Sequence, residues 1–120
     1  MAKFLPDAAL DATLDYVAGA TEQYICTEQP ASRAAAITAS LTGVVTLASG
    51  DFTKADDTSG RKVTVAQKAD IAITATGSAT HIVLCDATNI RAITTCTPQT
   101  LTSGGTVTRP AFTLSISDPT

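Results

Sequence analysis

Tryptophan is absent, and aromatic residues make up only 4% of the 120-residue chain. Ligand clefts and strong interfaces lean on aromatic anchors. Phe4, Tyr16, Tyr24, Phe52 and Phe112 leave little material for an aromatic-lined concavity. Charge is also scarce: 16% of residues are charged, against about a quarter in ordinary domains. Disorder driven by self-repulsion is therefore not expected. The four Lys and four Arg are scattered, and their closest group, Arg61-Lys62, reads as the start of a solvated strand. With a net charge of −3, sequence-directed binding of DNA or RNA lacks the clustered cations it needs. No apolar run approaches bilayer-spanning length. Met1–Asp7 carries one Lys without an apolar stretch or a small-residue cleavage site, so no signal peptide is expected there. These features predict a soluble chain made in the cytoplasm. Cys26, Cys85 and Cys96 are odd in number and lack CxxC spacing, which predicts free, buried thiols rather than a disulfide framework.

What is abundant is threonine and alanine, 22 and 21 residues, together over a third of the chain. Alanine buries little area, so a core built from it is thin. Threonine, beside Val and Ile, favours a half-buried pleated surface. The prediction is a mainly β fold: an antiparallel β-sandwich or small barrel with one short N-terminal α-helix. Residues 1–120 form a single domain, with a helix over 6–18 and a β-rich body over 21–120 that carries loops at 28–43 and 48–61.

Leu10, Leu14 and Val17 recur at i, i+4 and i+7 behind Pro6, with Gly19 as a stop, and specify the helix. At about three turns it is too short to persist alone and must dock on something. Residues 23–27 and 43–47 read as short strands. Ala31–Leu41 mixes helix-favouring Ala34-Ala35-Ala36 with Ile37 and Thr38, and reads as an irregular arm with at most one helical turn. Ser49–Gly60, rich in Gly, Asp and Ser, reads as a loop. Alternation then places Val63 with Val65, Ile71 with Ile73, and His81 and Val83 with Cys85. Gly77-Ser78 signals a turn. Pro98 ends the strand that begins at Ile90, and Gly104-Gly105 opens the last strand, where Phe112, Leu114 and Ile116 alternate with Thr113, Ser115 and Ser117.

Catalytic chemistry finds no recognisable constellation. The single histidine, His81, shares a strand face with Cys85, but four residues of strand separate them by about 13 Å. That distance also defeats a zinc site built from His81 and the three cysteines. A Cys85–Cys96 disulfide fails likewise: hairpin pairing sets Cys96 opposite residue 79 or 80, about 17–20 Å from Cys85. Asp51, Asp56 and Asp57 lack the ligand pattern of an EF-hand. Asp7, Asp11 and Asp15 fall on one helix face, read as its wet side. Gly104-Gly105 has no phosphate-loop context. The expectation is a protein that is not an enzyme and uses no metal or cofactor.

Several segments resemble the head-decoration, or cement, proteins of tailed bacteriophages. They are Phe4-Leu5-Pro6-Asp7-Ala8 leading to Leu10-Asp11-Ala12 and Leu14-Asp15-Tyr16; Asp51-Phe52 followed by Ser59-Gly60-Arg61-Lys62-Val63-Thr64-Val65; Gly77-Ser78-Ala79-Thr80-His81-Ile82; and Ala111-Phe112-Thr113-Leu114-Ser115-Ile116. Together they extend over most of the chain, although none is a mechanistic motif. The resemblance implies a non-enzymatic virion protein on the capsid surface. Such a protein binds the major capsid protein as a homo-oligomer, a trimer being one arrangement, and contacts neither specific nucleic acid nor membrane. The apolar residues of the arm and the following loop then belong at subunit contacts, with Arg33, Ile37, Leu41, Phe52 and Lys54 as candidates. Two other readings stay open: a tail or head–tail connector component, and a soluble ligand-binding β module.

Overall fold

The computed structural model describes residues 6–58 and 60–116; Met1–Leu5, Ser59 and Ser117 of the sequence reading lie outside them. The chain begins with α1, Asp7–Ala18, entered from Pro6, whose carbonyl accepts the Ala9 N–H at 2.9 Å. Leu10 and Leu14 are buried at 2% exposure and Val17 is half-buried, so the predicted stripe is the docking face. After Gly19 the chain enters β1, Glu22–Cys26, then α2, Arg33–Ala39, and the two-residue β2, Val45–Thr46. A short 3-10 turn at Ser49–Asp51 leads into β3, Phe52–Asp56, followed by β4, Arg61–Val65, and β5, Lys68–Ala72. The long hairpin of β6, Gly77–Cys85, and β7, Ile90–Leu101, precedes β8, Thr106–Arg109, and β9, Phe112–Ile116.

All strand pairs are antiparallel. They form a four-stranded sheet β2-β1-β6-β7, a three-stranded sheet β3-β4-β9 and a ribbon β5-β8. The large sheet is the middle layer of the molecule. One face carries Tyr24, Cys26, Val83 and Cys85 and is closed by Ala36 of α2. On the other, Ile82 and Leu84 pack with Leu47 and Val65, supported by Phe52 and Phe112 of the smaller sheet. Further along, Ile25, Ala79 and Leu101 pack with Ile71 and Ile73 on and beside the ribbon. Because β6 is covered on both faces, four consecutive residues, Ile82–Cys85, are buried. The layered, open-ended sheets realise the sandwich of the two predicted forms, and no barrel closes.

The body measures 54 × 24 × 24 Å, with a radius of gyration of 15.3 Å against about 13–14 Å for a spherical domain of this length. A slender shape buries less per residue. The thin core is visible in its inventory: the largest fully buried side chain is not a hydrophobe but Arg109.

Four local expectations are corrected by the tertiary context. The arm is a helix, because Ser32 caps it through Oγ to the Ala35 N–H at 3.2 Å and Ala36 packs inward. The 48–61 loop contains β3, because Phe52–Asp56 pairs residue by residue with β4. Gly77-Ser78 is no turn: both residues pair with β7, and a Cβ on Gly77 would approach Leu41 Cδ2 to 2.9 Å. Pro98 does not end β7. That strand is a sheet edge, and from Ala79↔Gln99 to His81↔Thr95 it advances four residues while β6 advances two. Pro98 sits in this irregularity, where its missing N–H breaks no ladder bond.

Candidate functional site

The five residues expected at subunit contacts do not converge. Arg33 and Ile37 lie on α2, while Phe52 and Lys54 lie on β3, beneath α1. Arg33 forks onto Glu22 of β1, with Nε donating to Oε1 at 2.9 Å and Nη2 to Oε2 at 3.0 Å. Tyr24 Oη donates to the same carboxylate at 3.1 Å, so Arg33 is committed to anchoring α2. Leu41 is only 4% exposed, inside the cluster of Ile25, Ile71 and Leu101, and its carbonyl accepts the Thr74 N–H at 2.8 Å. It is a core residue with no surface to offer a partner. Phe52 is half-buried against the Val65 cluster, and Lys54 pairs with Asp15. Of the five, Ile37 alone presents substantial bare apolar surface, at 46% exposure.

The same packing reassigns the acidic residues. Asp11 accepts from Arg61 Nε at 2.8 Å, and Arg61 Nη1 reaches Asp56 at 2.6 Å. Asp51 pairs with Lys68 at 3.0 Å and also accepts the Ala48 N–H at 2.8 Å. The helix stripe read as wet is therefore partly a seam fastening α1 to β3 and β4. Arg61 hydrogen bonding holds the Asp11 carboxyl below its ordinary range. At the β6–β7 turn, N–H donors from Asn89 and Thr88, then Arg91, hold Asp86 at about 2. Arg91 also donates to the Tyr16 carbonyl at 2.8 Å and lies 4.4 Å from the centre of the Tyr16 ring, clamping α1 against the hairpin.

His81 is half-buried, with Nδ1 2.8 Å from Thr80 Oγ1, which donates to the Thr27 carbonyl at 2.8 Å. It stands four residues from Cys85 on an extended strand. All three cysteines are free thiols. Burial pushes Cys26 and Cys85 up to about 11, which keeps both protonated and poorly nucleophilic at neutral pH. Cys96 lies near Ala79, whose carbonyl is 3.7 Å from its Sγ, so the predicted hairpin offset holds. Among the described residues, no three His, Cys, Asp or Glu side chains gather where a metal ion could be held. None of the helices among them is long and apolar enough to cross a membrane.

One residue pair was invisible to sequence reasoning. Gln23 and Arg109, 86 positions apart, meet at the boundary between the two inner clusters, with Arg109 Nε donating to Gln23 Oε1 at 2.7 Å. Arg109 Nη1 donates to the carbonyls of Ala66 and Pro110 at 2.6 and 3.1 Å, and its guanidinium lies 5.1 Å from the Phe112 ring centre. No spacing signal marks either residue, since an isolated Arg before Pro reads as surface. No family model matches the chain, and neither a curated protein nor a solved structure matches it.

Proposed function

We propose that the chain is a non-enzymatic virion structural protein that decorates and stabilises a phage capsid by binding the major capsid protein as a homo-oligomer. The observation that carries this reading is the bare apolar surface on and behind the arm: Ile37 at 46% exposure on α2 and Val44 at 56% before β2. Large aliphatic side chains left in water on an anchored segment gain free energy when a partner covers them. The arm supplies both requirements of a contact element. Its inner side, Ala36 and Leu41, is fastened into the body, and its outer side, Ile37, is free. The slender β body and the resemblance of several sequence segments to cement proteins are compatible with the same reading. A net charge of −3 also disfavours adhesion to packaged DNA.

Lattice binding then stabilises the capsid by mass action, because the contact surface exists only in the assembled state. Deleting residues 31–41 would remove Ala36 and Leu41 from the core, so point changes are the cleaner test. Ile37→Glu and Val44→Glu should leave the circular dichroism spectrum unchanged while lowering occupancy on purified heads and the heads' thermal stability. Wild-type occupancy of both folded variants would refute the arm as the contact. Electron micrographs with label on tails or necks would move the chain to the connector reading.

A further inference from the structure

The irregularity in β7 opens a groove of about 240 Å³ between that strand and β8. Its walls mix aliphatic residues, including Ile25, Ile82 and Val107, with polar ones, including Thr97, Gln99 and Arg109. The volume is below the roughly 300–1,000 Å³ of pockets for drug-sized molecules, so the occupant is a short chain or a single side-chain-sized group. Arg109 is 2% exposed and has no ion pair among the described residues. Among the described residues its Nη2 finds no acceptor, and neither does Nε2 of the fully buried Gln23 that it touches. Two N–H donors on contacting residues, one of them cationic, thus lack a protein acceptor in the interior, where an unmade bond is costly and more so for a charge.

We propose that this groove is a binding site for a short aliphatic carboxylate, whose chain lies on Ile25, Ile82 and Val107 and whose oxygens accept from the guanidinium of Arg109. A planar carboxylate brings two acceptor oxygens and one negative charge, matching a buried guanidinium that has a free donor and, among the described residues, no direct ion pair, only the more distant Asp51 charge. Arg109 Nη2 is closed to solvent, so the Arg109 side chain yields toward the groove as the ligand enters. Aliphatic chain and carboxylate are both required: the chain displaces water from the groove, and the anion answers the buried charge. The same group can arrive as a free acid or as a carboxylate side chain or terminus of a neighbouring copy.

The test is an NMR titration of the whole chain with hexanoate, and with hexan-1-ol as the uncharged match. Saturable shifts at Ile82 and Val107 are expected, with hexanoate at least about tenfold tighter than the alcohol. Arg109→Met should remove that preference. Should it fail to fold, Thr97→Phe serves instead: Thr97 is exposed at the groove, and the larger ring should abolish binding without touching the donors. The absence of saturable shifts, equal binding of the alcohol, or undiminished binding by Thr97→Phe would each overturn the proposal. Sedimentation in parallel assigns the source. An oligomer that hexanoate dissociates places a neighbouring copy's carboxylate in the groove, and an unchanged mass assigns it to a free acid.

Discussion

Gln23 and Arg109 should behave as one unit, and a double-mutant cycle measures it. In Gln23→Leu a polar side chain becomes an apolar one of similar size, and Arg109 Nε loses its 2.7 Å acceptor. A buried hydrogen bond to a charged group is worth about 1.5–3 kcal/mol, and that is the expected loss. In Arg109→Met, Gln23 Oε1 and the Ala66 and Pro110 carbonyls each lose a donor, at about 1–3 kcal/mol for each one that is left buried. Against this, removing a guanidinium that burial already disfavours recovers several kcal/mol of desolvation. The double variant strands only the Ala66 and Pro110 carbonyls and eliminates both orphaned donors. It should therefore be more stable than Gln23→Leu, with a coupling of about 1–3 kcal/mol. Urea unfolding at neutral pH, followed by circular dichroism with an unchanged slope, reads the four corners. Additive effects, with coupling below about 0.5 kcal/mol, would show that the two side chains do not share a buried polar unit.

Leu14→Ala, at a position 2% exposed where α1 meets the sheets, should cost about 2–5 kcal/mol in the same assay; a loss under 1 kcal/mol would mean that α1 is not docked as described. Asp86 titrates at about 2 and Asp11 is also lowered, so the stability they contribute is complete above the ordinary carboxylate range and disappears as pH falls from about 4 toward 2. Asp86→Asn should flatten the pH dependence of the urea midpoint across that window, and an unchanged slope would rule out the turn as its source. With a thiol-specific reagent, half-exposed Cys96 should react in the native protein, and Cys26 and Cys85 only after denaturant is added. Fewer than three thiols in unreduced, unfolded protein would reveal a disulfide and break the hairpin register.

Short-range periodicity is readable because it depends only on which residues share a face. The spacing of Leu10, Leu14 and Val17 determines α1, and the alternation of Val63 with Val65 determines β4, whatever packs against them. The scarcity of large hydrophobes likewise foretells a thin core, and the offset of Cys96 from Cys85 follows from hairpin pairing alone. Other features depend on partners that are distant in sequence. Ala31–Leu41 has weak intrinsic preference, and becomes α2 because β1 offers Tyr24 and Cys26 for Ala36 to cover. Pro98 is tolerated because β7 is an edge, a property of strand order that no local pattern carries. Leu41 and Ile37 look equally apolar in the sequence, yet the bridge of Thr42 to Ile73 turns one inward and leaves the other bare. Arg109 is the extreme case. Its burial arises only where β8 meets Gln23 of β1 and the Ala66 carbonyl, because acceptors from two distant segments must join the neighbouring Pro110 carbonyl before a cation can leave water.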